Sequence, residues 1–193
     1  MTFRVLTVCT GNVCRSPSAE LLLAHELSAL EGVEVSSAGT GALVGDGIPE
    51  PGLRLLTAAG IDGTTHHARQ LTPALIRESD LILAMAREHR RTIVETVPAA
   101  TRRTFTVREL ARVVEHVGDF VPEGEYADAS ERMRAAVLYA AGRRGLVPQP
   151  ADAIDLDVID PYRRSDDTYQ LSYSQLEPAV RTVSGYLARA ARV

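Results

Sequence analysis

The sequence contains no lysine and no tryptophan, and only 5% of its 193 residues are aromatic. All 21 basic residues are therefore arginines. The absence of lysine excludes Schiff-base catalysis and the phosphate-binding lysine of P-loop NTPases. We interpret the missing lysine as coding bias, because no other feature of the composition links it to function.

Long apolar runs are also missing. No stretch approaches the ~20 residues of a membrane-spanning helix, and the amino terminus lacks the charged and apolar regions of a signal peptide. The net charge is −4, and the hydrophobic content of 45% is ordinary for a globular chain. We therefore expect a cytoplasmic protein with one domain over residues 1–193, which binds neither nucleic acid nor membrane.

Cysteine is scarce too, and the two cysteines, Cys9 and Cys14, fall in one short segment. They leave nothing for a structural disulfide framework. Upstream, residues 3–8 have the β-branched and aromatic content of a buried strand. Downstream, Ser16 is predicted to cap a helix with Pro17 at its first position. The cysteine segment is therefore predicted to be a loop between a strand and a helix.

Such a loop is suited to binding an anion. Its backbone N–H groups and the positive end of the following helix dipole favour negative charge, and Gly11 lets the backbone curl tightly. The same field should favour the Cys9 thiolate, which is a nucleophile. Arg15 can hold two phosphoryl oxygens in a bidentate manner, and Ser16 can donate to the thiolate. The phosphate-binding residues expected here are Thr10, Gly11, Asn12, Val13, Cys14 and Arg15.

These residues carry a resemblance. Cys-x5-Arg-Ser with Gly-Asn inside and Pro after it resembles the loop of the low-molecular-weight protein tyrosine phosphatases. Asp160-Pro161-Tyr162 resembles the family's acid loop. Three further segments match in order: Ser37-Ala38-Gly39-Thr40, Ile61 followed by His66-His67-Ala68-Arg69-Gln70, and Asp80-Leu81-Ile82-Leu83-Ala84-Met85.

The resemblance implies a reaction through a cysteinyl-phosphate at Cys9, with Arg15 binding phosphate and Asp160 as general acid and then base. It implies no metal and no other cofactor. The substrate would be a phosphotyrosine protein or a small aryl phosphate. Asn12 suits a left-handed backbone position, and the family pattern implies hydrogen bonds from it toward Ser37 and His66.

Other interpretations stay open at this point. An arsenate reductase coupled to an external small thiol would need only Cys9, although it would not explain Asp160. A non-catalytic phosphate-binding module is the second alternative, although nucleophile, arginine and acid are all present. Cys14 is either a small core residue or the partner of Cys9 in a reversible disulfide. His66 with His67, and the aspartates around Asp160, lack the spacing of a metal site.

Departures from the family pattern concern the substrate pocket. Leu43 stands where many relatives have a large aromatic residue, and Arg163 and Arg164 follow Tyr162. We expect Leu43, Tyr162 and Arg163 to line the pocket and the cationic mouth to favour substrates with acidic flanks. We expect a monomer or a weak dimer.

Alternating strand and helix patterns predict an α/β fold, a three-layer sandwich with a central, mainly parallel four-stranded sheet flanked by helices. Ligands then belong at the carboxyl ends of the strands. Residues 107–150 are predicted to be an inserted helical segment before the acid loop. We weigh three roles for this segment: a lid, an oligomer surface, or packing against the parent fold near the acid loop. We favour the last. Pro178 is expected to end, kink or start part of the last helix, placed at residues 171–189.

Overall fold

The computed structural model describes residues 1–122 and 124–192. Within them lies a parallel sheet in the order β2-β1-β3-β4. The strands are β1 (Phe3–Cys9), β2 (Val33–Gly39), β3 (Leu81–Ala84) and β4 (Thr104–Thr106). The helices are α1 (Arg15–Glu26), α2 (Glu50–Ala58), α3 (Pro73–Glu78), α4 (Arg87–Thr96), α5 (Val107–Val117), α6 (Ala129–Arg143) and α7 (Asp166–Arg192).

Strand β1 is central because it is apolar on both faces. Phe3 and Val5 point into one hydrophobic core, while Leu6 and Val8 point into the other. Side chains alternate across a strand, so a continuous apolar run must be covered on both sides. β1 accordingly pairs with β2 on one edge and β3 on the other.

Helices cover both faces of the sheet. On one side α1, α5, α6 and α7 enclose the larger core, and on the other α3 and α4 enclose the smaller one. The predicted three-layer α/β fold with a parallel four-stranded sheet is confirmed. In the part of the chain that the structure describes, no helix has both the length and the apolar character needed to cross a membrane.

The helices of the predicted insertion begin as their sequence indicates. Thr106 and Glu109 form a capping box at the start of α5, and the Asp128 side chain accepts from the Glu131 N–H at the start of α6. One face of α6 is fully buried in the larger core, through Met133 and its neighbours one and two turns on.

Helix α6 packs against the parent fold, but away from the acid loop. Its first turn lies at the amino-terminal edge of the sheet, where the Met1 ammonium contacts Asp128 at 2.8 Å and Arg134 contacts Asp80 at 2.8 Å. The location favoured from sequence is therefore wrong for α6, whereas α5 lies beside the segment before Asp160, where Arg108 Nη1 donates to the Asp157 carbonyl oxygen at 2.8 Å. Charge pairing with the chain terminus and burial against α7 decide the location of α6, and neither can be read from a local pattern.

The predicted cap of one helix is wrong, and another helix is longer than predicted. Helix α1 begins at Arg15, and Ser16 lies inside it with its hydroxyl directed at the loop instead of capping the helix. Helix α7 covers the predicted residues 171–189, extends beyond them at both ends, and continues past Pro178. A proline removes one helical hydrogen bond, and the burial of α7 against α1, α5 and α6 outweighs that loss.

Candidate active site

Residues 9–15 connect the carboxyl end of β1 to the amino end of α1. Cys9 is the last residue of the strand and is 2% exposed. Its Sγ accepts from the Asn12 N–H at 3.3 Å and lies 3.0 Å from Ser16 Oγ. Both contacts would stabilise a thiolate, because hydrogen bonds to the charged form favour it.

Asn12 holds the shape of this loop. Its φ is 56°, the left-handed conformation that asparagine tolerates better than most residues. Its Nδ2 donates to Ser37 Oγ at 2.8 Å and to Ser16 Oγ at 3.0 Å, and its Oδ1 accepts from the Arg69 N–H at 2.8 Å. The side chain thus joins the loop to α1, to β2 and to the segment after α2.

A second layer of polar contacts supports Asn12. His66 Nε2 donates to the Asn12 carbonyl oxygen at 2.7 Å, and Ser37 Oγ donates to Glu20. Arg69 Nε donates to the Ser37 carbonyl oxygen at 2.7 Å. Ser37 and His66, two residues singled out from sequence, therefore meet Asn12. Glu20 and Arg69 are supporting residues that sequence reasoning missed.

Arg15 is buried and directed toward the loop. Its Nη1 donates to the Val158 carbonyl oxygen at 3.2 Å, and its Nη2 lies 2.8 Å from Asp160 Oδ2. Its Nε is buried and has no hydrogen-bond partner among the described residues. Because a buried donor without a partner is costly, this N–H fits a group that accepts hydrogen bonds, such as a phosphoryl oxygen.

Asp160 reaches the same place from a distant part of the chain. Its side chain is about half exposed (52%), and its Oδ1 accepts from the Tyr162 N–H at 3.1 Å. The carboxylate is held at the edge of the loop by its own turn and by Arg15. Cys9, Arg15 and Asp160, the three residues proposed from sequence to carry catalysis, therefore line one cavity.

That cavity has a volume of about 150 Å³ and walls that are largely apolar. Cys9 and Arg15 form its floor, while Val13, Leu43 and Tyr162 supply the hydrophobic surface. Arg163 does not line it. Its guanidinium lies 5.1 Å from the centre of the Tyr162 ring, and the residue is exposed, so its part in the substrate pocket stays a prediction.

Cys14 lines the same cavity and packs against Val13, Ala68 and Tyr169. Both cysteines are free thiols, and Cys14 Sγ is 3.5 Å from the Tyr169 hydroxyl. Burial raises the pKa of Cys14 to about 11. Cys14 therefore remains a neutral thiol near neutral pH.

The sequence profile described as low molecular weight phosphotyrosine protein phosphatase matches residues 4–137. The chain belongs to this family. The resemblance noted from the sequence motifs is confirmed, and the chain is a cysteine-dependent phosphatase. The match spans all four strands and the loop from Cys9 to Arg15.

Individual relatives agree with this family. The chain is 42% identical over 106 residues to the probable low molecular weight protein-tyrosine-phosphatase EpsP of Ralstonia solanacearum, covering 55% of this chain and 71% of the relative. It is 40% identical over 177 residues to the phosphatase Wzb of Escherichia coli K12, covering 92% and 90%. The solved YwlE arginine phosphatase of Geobacillus stearothermophilus aligns at a TM-score of 0.69 with 27% identity, covering 97% and 94%.

Two further residues at this phosphatase site were not found from sequence. His89 is 2% exposed, and its Nε2 lies 2.8 Å from Thr10 Oγ1. Gly39 ends β2 so close to the loop that a Cβ would collide with the Thr10 carbonyl oxygen. The match to Ser37-Ala38-Gly39-Thr40 pointed to Gly39. The sequence around His89 indicated only that it lies in a helix.

Metal chemistry was not expected from the sequence. Within residues 1–122 and 124–192, no group of three or more His, Cys, Asp or Glu side chains is placed to hold a metal ion. His66 instead contacts the Asn12 carbonyl oxygen, and His67 contacts the Gly45 carbonyl oxygen.

Proposed function

We propose that this protein hydrolyses phosphotyrosine in proteins, with Cys9 as nucleophile, Arg15 as phosphate ligand and Asp160 as general acid and base. The observation that carries the proposal is the meeting of these three side chains at one small cavity with apolar walls. Each group has the chemistry that its step requires.

In the first step the Cys9 thiolate attacks phosphorus in line with the leaving oxygen. The S–P bond forms as the P–O bond to the tyrosyl ring breaks, and Asp160 transfers its proton to the departing phenolate oxygen. Loop N–H groups and Arg15, including its unpartnered Nε, stabilise the charge on the three equatorial oxygens.

In the second step the Asp160 carboxylate takes a proton from water as the water oxygen attacks phosphorus. The S–P bond breaks, inorganic phosphate leaves and the Cys9 thiolate is regenerated. The Ser16 hydroxyl, 3.0 Å from Cys9 Sγ, and the Asn12 N–H stabilise the thiolate as leaving group. No redox partner is required, in contrast to a thiol-coupled arsenate reductase.

The cavity walls favour an aromatic substrate over phosphoarginine, the substrate class suggested by the name of the aligned arginine phosphatase. Val13, Leu43 and Tyr162 offer apolar contacts that suit the faces of a phenyl ring. A guanidinium is charged and hydrated, and Asp160, which already pairs with Arg15, is the one carboxylate lining the described cavity. Burying that cation against apolar walls would be costly.

The test compares the wild type with Cys9→Ser and Asp160→Asn, using p-nitrophenyl phosphate, a phosphotyrosyl peptide and a phosphoarginyl peptide. We expect Cys9→Ser to abolish hydrolysis. Asp160→Asn should lower kcat/KM for the phosphotyrosyl peptide by ~10² or more, since general acid catalysis typically supplies that factor. The phosphoarginyl peptide should be the poorer substrate of the wild type.

Other results would contradict this proposal. Hydrolysis that survives Cys9→Ser would remove the covalent mechanism. Preference for the phosphoarginyl peptide would replace the tyrosine assignment with an arginine one. Thiol oxidation that depends on arsenate and on Cys9, in place of phosphoester hydrolysis, would favour the reductase.

A further inference from the structure

The two residues before Asp160 are hydrogen-bonded to other elements of the fold. The Val158 N–H donates to the Met85 carbonyl oxygen, just past the end of β3, at 2.8 Å. The Ile159 N–H donates to Gln175 Oε1, on α7, at 2.9 Å. The approach to the acid is therefore held by the sheet and by a long helix instead of moving as a free loop.

Asp157 makes the largest set of polar contacts in this segment. Its Oδ1 accepts from the Arg87 N–H at 2.8 Å, at the first residue of α4. Its two carboxylate oxygens also receive Arg87 Nε and Nη2 at 3.0–3.1 Å, which is a bidentate pair. Its own carbonyl oxygen accepts from Arg108 Nη1 at 2.8 Å. Asp157 thereby ties the segment to both α4 and α5.

The hydrogen bonds between Asp157 and Arg87 join a carboxylate to a guanidinium, and such charge-assisted bonds are stronger than neutral ones. Ala86, the residue before α4, contributes no side-chain cap, so the Asp157 carboxylate supplies the acceptor that the helix start needs. The carboxylate is only 15% exposed, and a bidentate pair with arginine fixes orientation as well as distance. The Asp157 backbone is thus held in one position relative to the end of β3.

We propose that Asp157 is a positioning residue for the general acid: by tying its segment to α4 and α5, it sets the place of the Asp160 carboxylate at the cavity. This rests on the proposed role of Asp160. Asp160 follows Asp157 by three positions, a span of at most ~10 Å. A displacement of ~1 Å at a catalytic group can cost about 10²-fold in rate. Asp157 itself is not among the residues that line the cavity with Cys9.

The experiment measures dependence on the leaving group, which a purely structural residue would not change. Phenyl phosphate needs a proton on its departing oxygen, whereas 2,4-dinitrophenyl phosphate releases a stable anion. We expect Asp157→Asn to lower kcat/KM for phenyl phosphate by about tenfold and for the dinitrophenyl ester by less than about twofold. Arg87→Gln should show a smaller change in the same direction, because the Arg87 N–H keeps its acceptor.

The matched control is Asp155→Asn, which removes an exposed carboxylate from the same segment and should leave both substrates unchanged. Asp157→Asn, Arg87→Gln and Asp155→Asn are each also combined with Asp160→Asn in double variants. Because Asp157 acts through Asp160, Asp157→Asn should have no further effect on phenyl phosphate in that background.

Two results would overturn the inference. If Asp160→Asn shows the leaving-group effect but both Asp157→Asn and Arg87→Gln match the wild type, the positioning role is wrong and the acid role stands. If Asp160→Asn itself shows no leaving-group effect, the general acid is misassigned, and the inference about Asp157 is refuted with it. Arg87→Gln changes a half-exposed residue, so the test does not depend on the stability of Asp157→Asn.

Discussion

Asn12 shows how one residue type serves two purposes at this site. Its backbone accepts the left-handed turn that the loop needs, and its side chain uses both polar atoms to bind α1, β2 and the segment after α2. A residue of similar size without the amide, such as leucine, would leave Ser37 and Arg69 without these partners. The loop is therefore preorganised before any phosphate binds.

At the mouth of the cavity, Arg163 and Arg164 are exposed beside Tyr162. We expect phosphopeptides with acidic residues next to phosphotyrosine to be hydrolysed with several-fold higher kcat/KM than neutral-flanked ones at low salt, because exposed charges steer and orient a charged partner. The double change Arg163→Gln and Arg164→Gln should remove the preference.

The control for this prediction is Arg102→Gln. Arg102 is an exposed arginine just before β4, at the end of the sheet away from the cavity. It should keep the preference for acidic flanks. Equal kcat/KM for the two peptide classes in the wild type at low salt would refute the prediction.

At the scale of elements, α6 is part of the fold and does not cover the site. Met133 is fully buried in the larger core, whereas Leu138 on the same helix is 45% exposed. We expect Met133→Ala to lower the free energy of unfolding by about 2–5 kcal/mol, the usual cost of removing a buried side chain of this size. KM for p-nitrophenyl phosphate should stay unchanged.

Chemical denaturation of Met133→Ala beside Leu138→Ala checks this prediction. The exposed leucine should cost less than about 1 kcal/mol. Equal losses for the two variants, or a changed KM in Met133→Ala with the protein folded, would contradict the packing described for α6.

At the scale of the whole molecule, stability should depend on pH through His89. Burial, together with the nearby Arg15 charge, lowers the pKa of His89 from 6.5 to about 4. Above pH 6.5 the imidazole is neutral in both folded and unfolded chains. Between pH 6.5 and 4 the unfolded chain binds a proton that the folded protein does not, so stability falls as pH falls, by about 3 kcal/mol in total.

Unfolding by urea at pH 7, 6 and 5 measures this loss of stability. Most carboxylates titrate below this pH range. His89→Gln should flatten the dependence between pH 6.5 and 5, and the exposed His25→Gln should retain it. A wild-type free energy of unfolding that is constant from pH 7 to 5 would show that His89 is not held neutral.

Local patterns predicted much of the fold. The apolar run of β1 and the alternation of strand and helix segments depend on neighbours within a few residues, and they predicted the sheet and its layers. Tertiary contacts explain both the misplaced cap at Ser16 and the passage of α7 through Pro178. The Ser16 hydroxyl, which favours a helix cap, instead bonds to Cys9 and Asn12. Pro178 disfavours a helix interior, but the packing of α7 keeps it there.

The sequence by itself determined the chemistry: a thiol, an arginine and a loop that can hold an anion, all within Cys9–Ser16, together with an acid in Asp160-Pro161-Tyr162. Only the tertiary structure decided how these parts meet. The Arg15–Asp160 pair, the His89–Thr10 contact and the attachment of Asp157 to Arg87 join residues far apart in the chain. Such contacts depend on how the helices pack on the sheet, which no local pattern encodes.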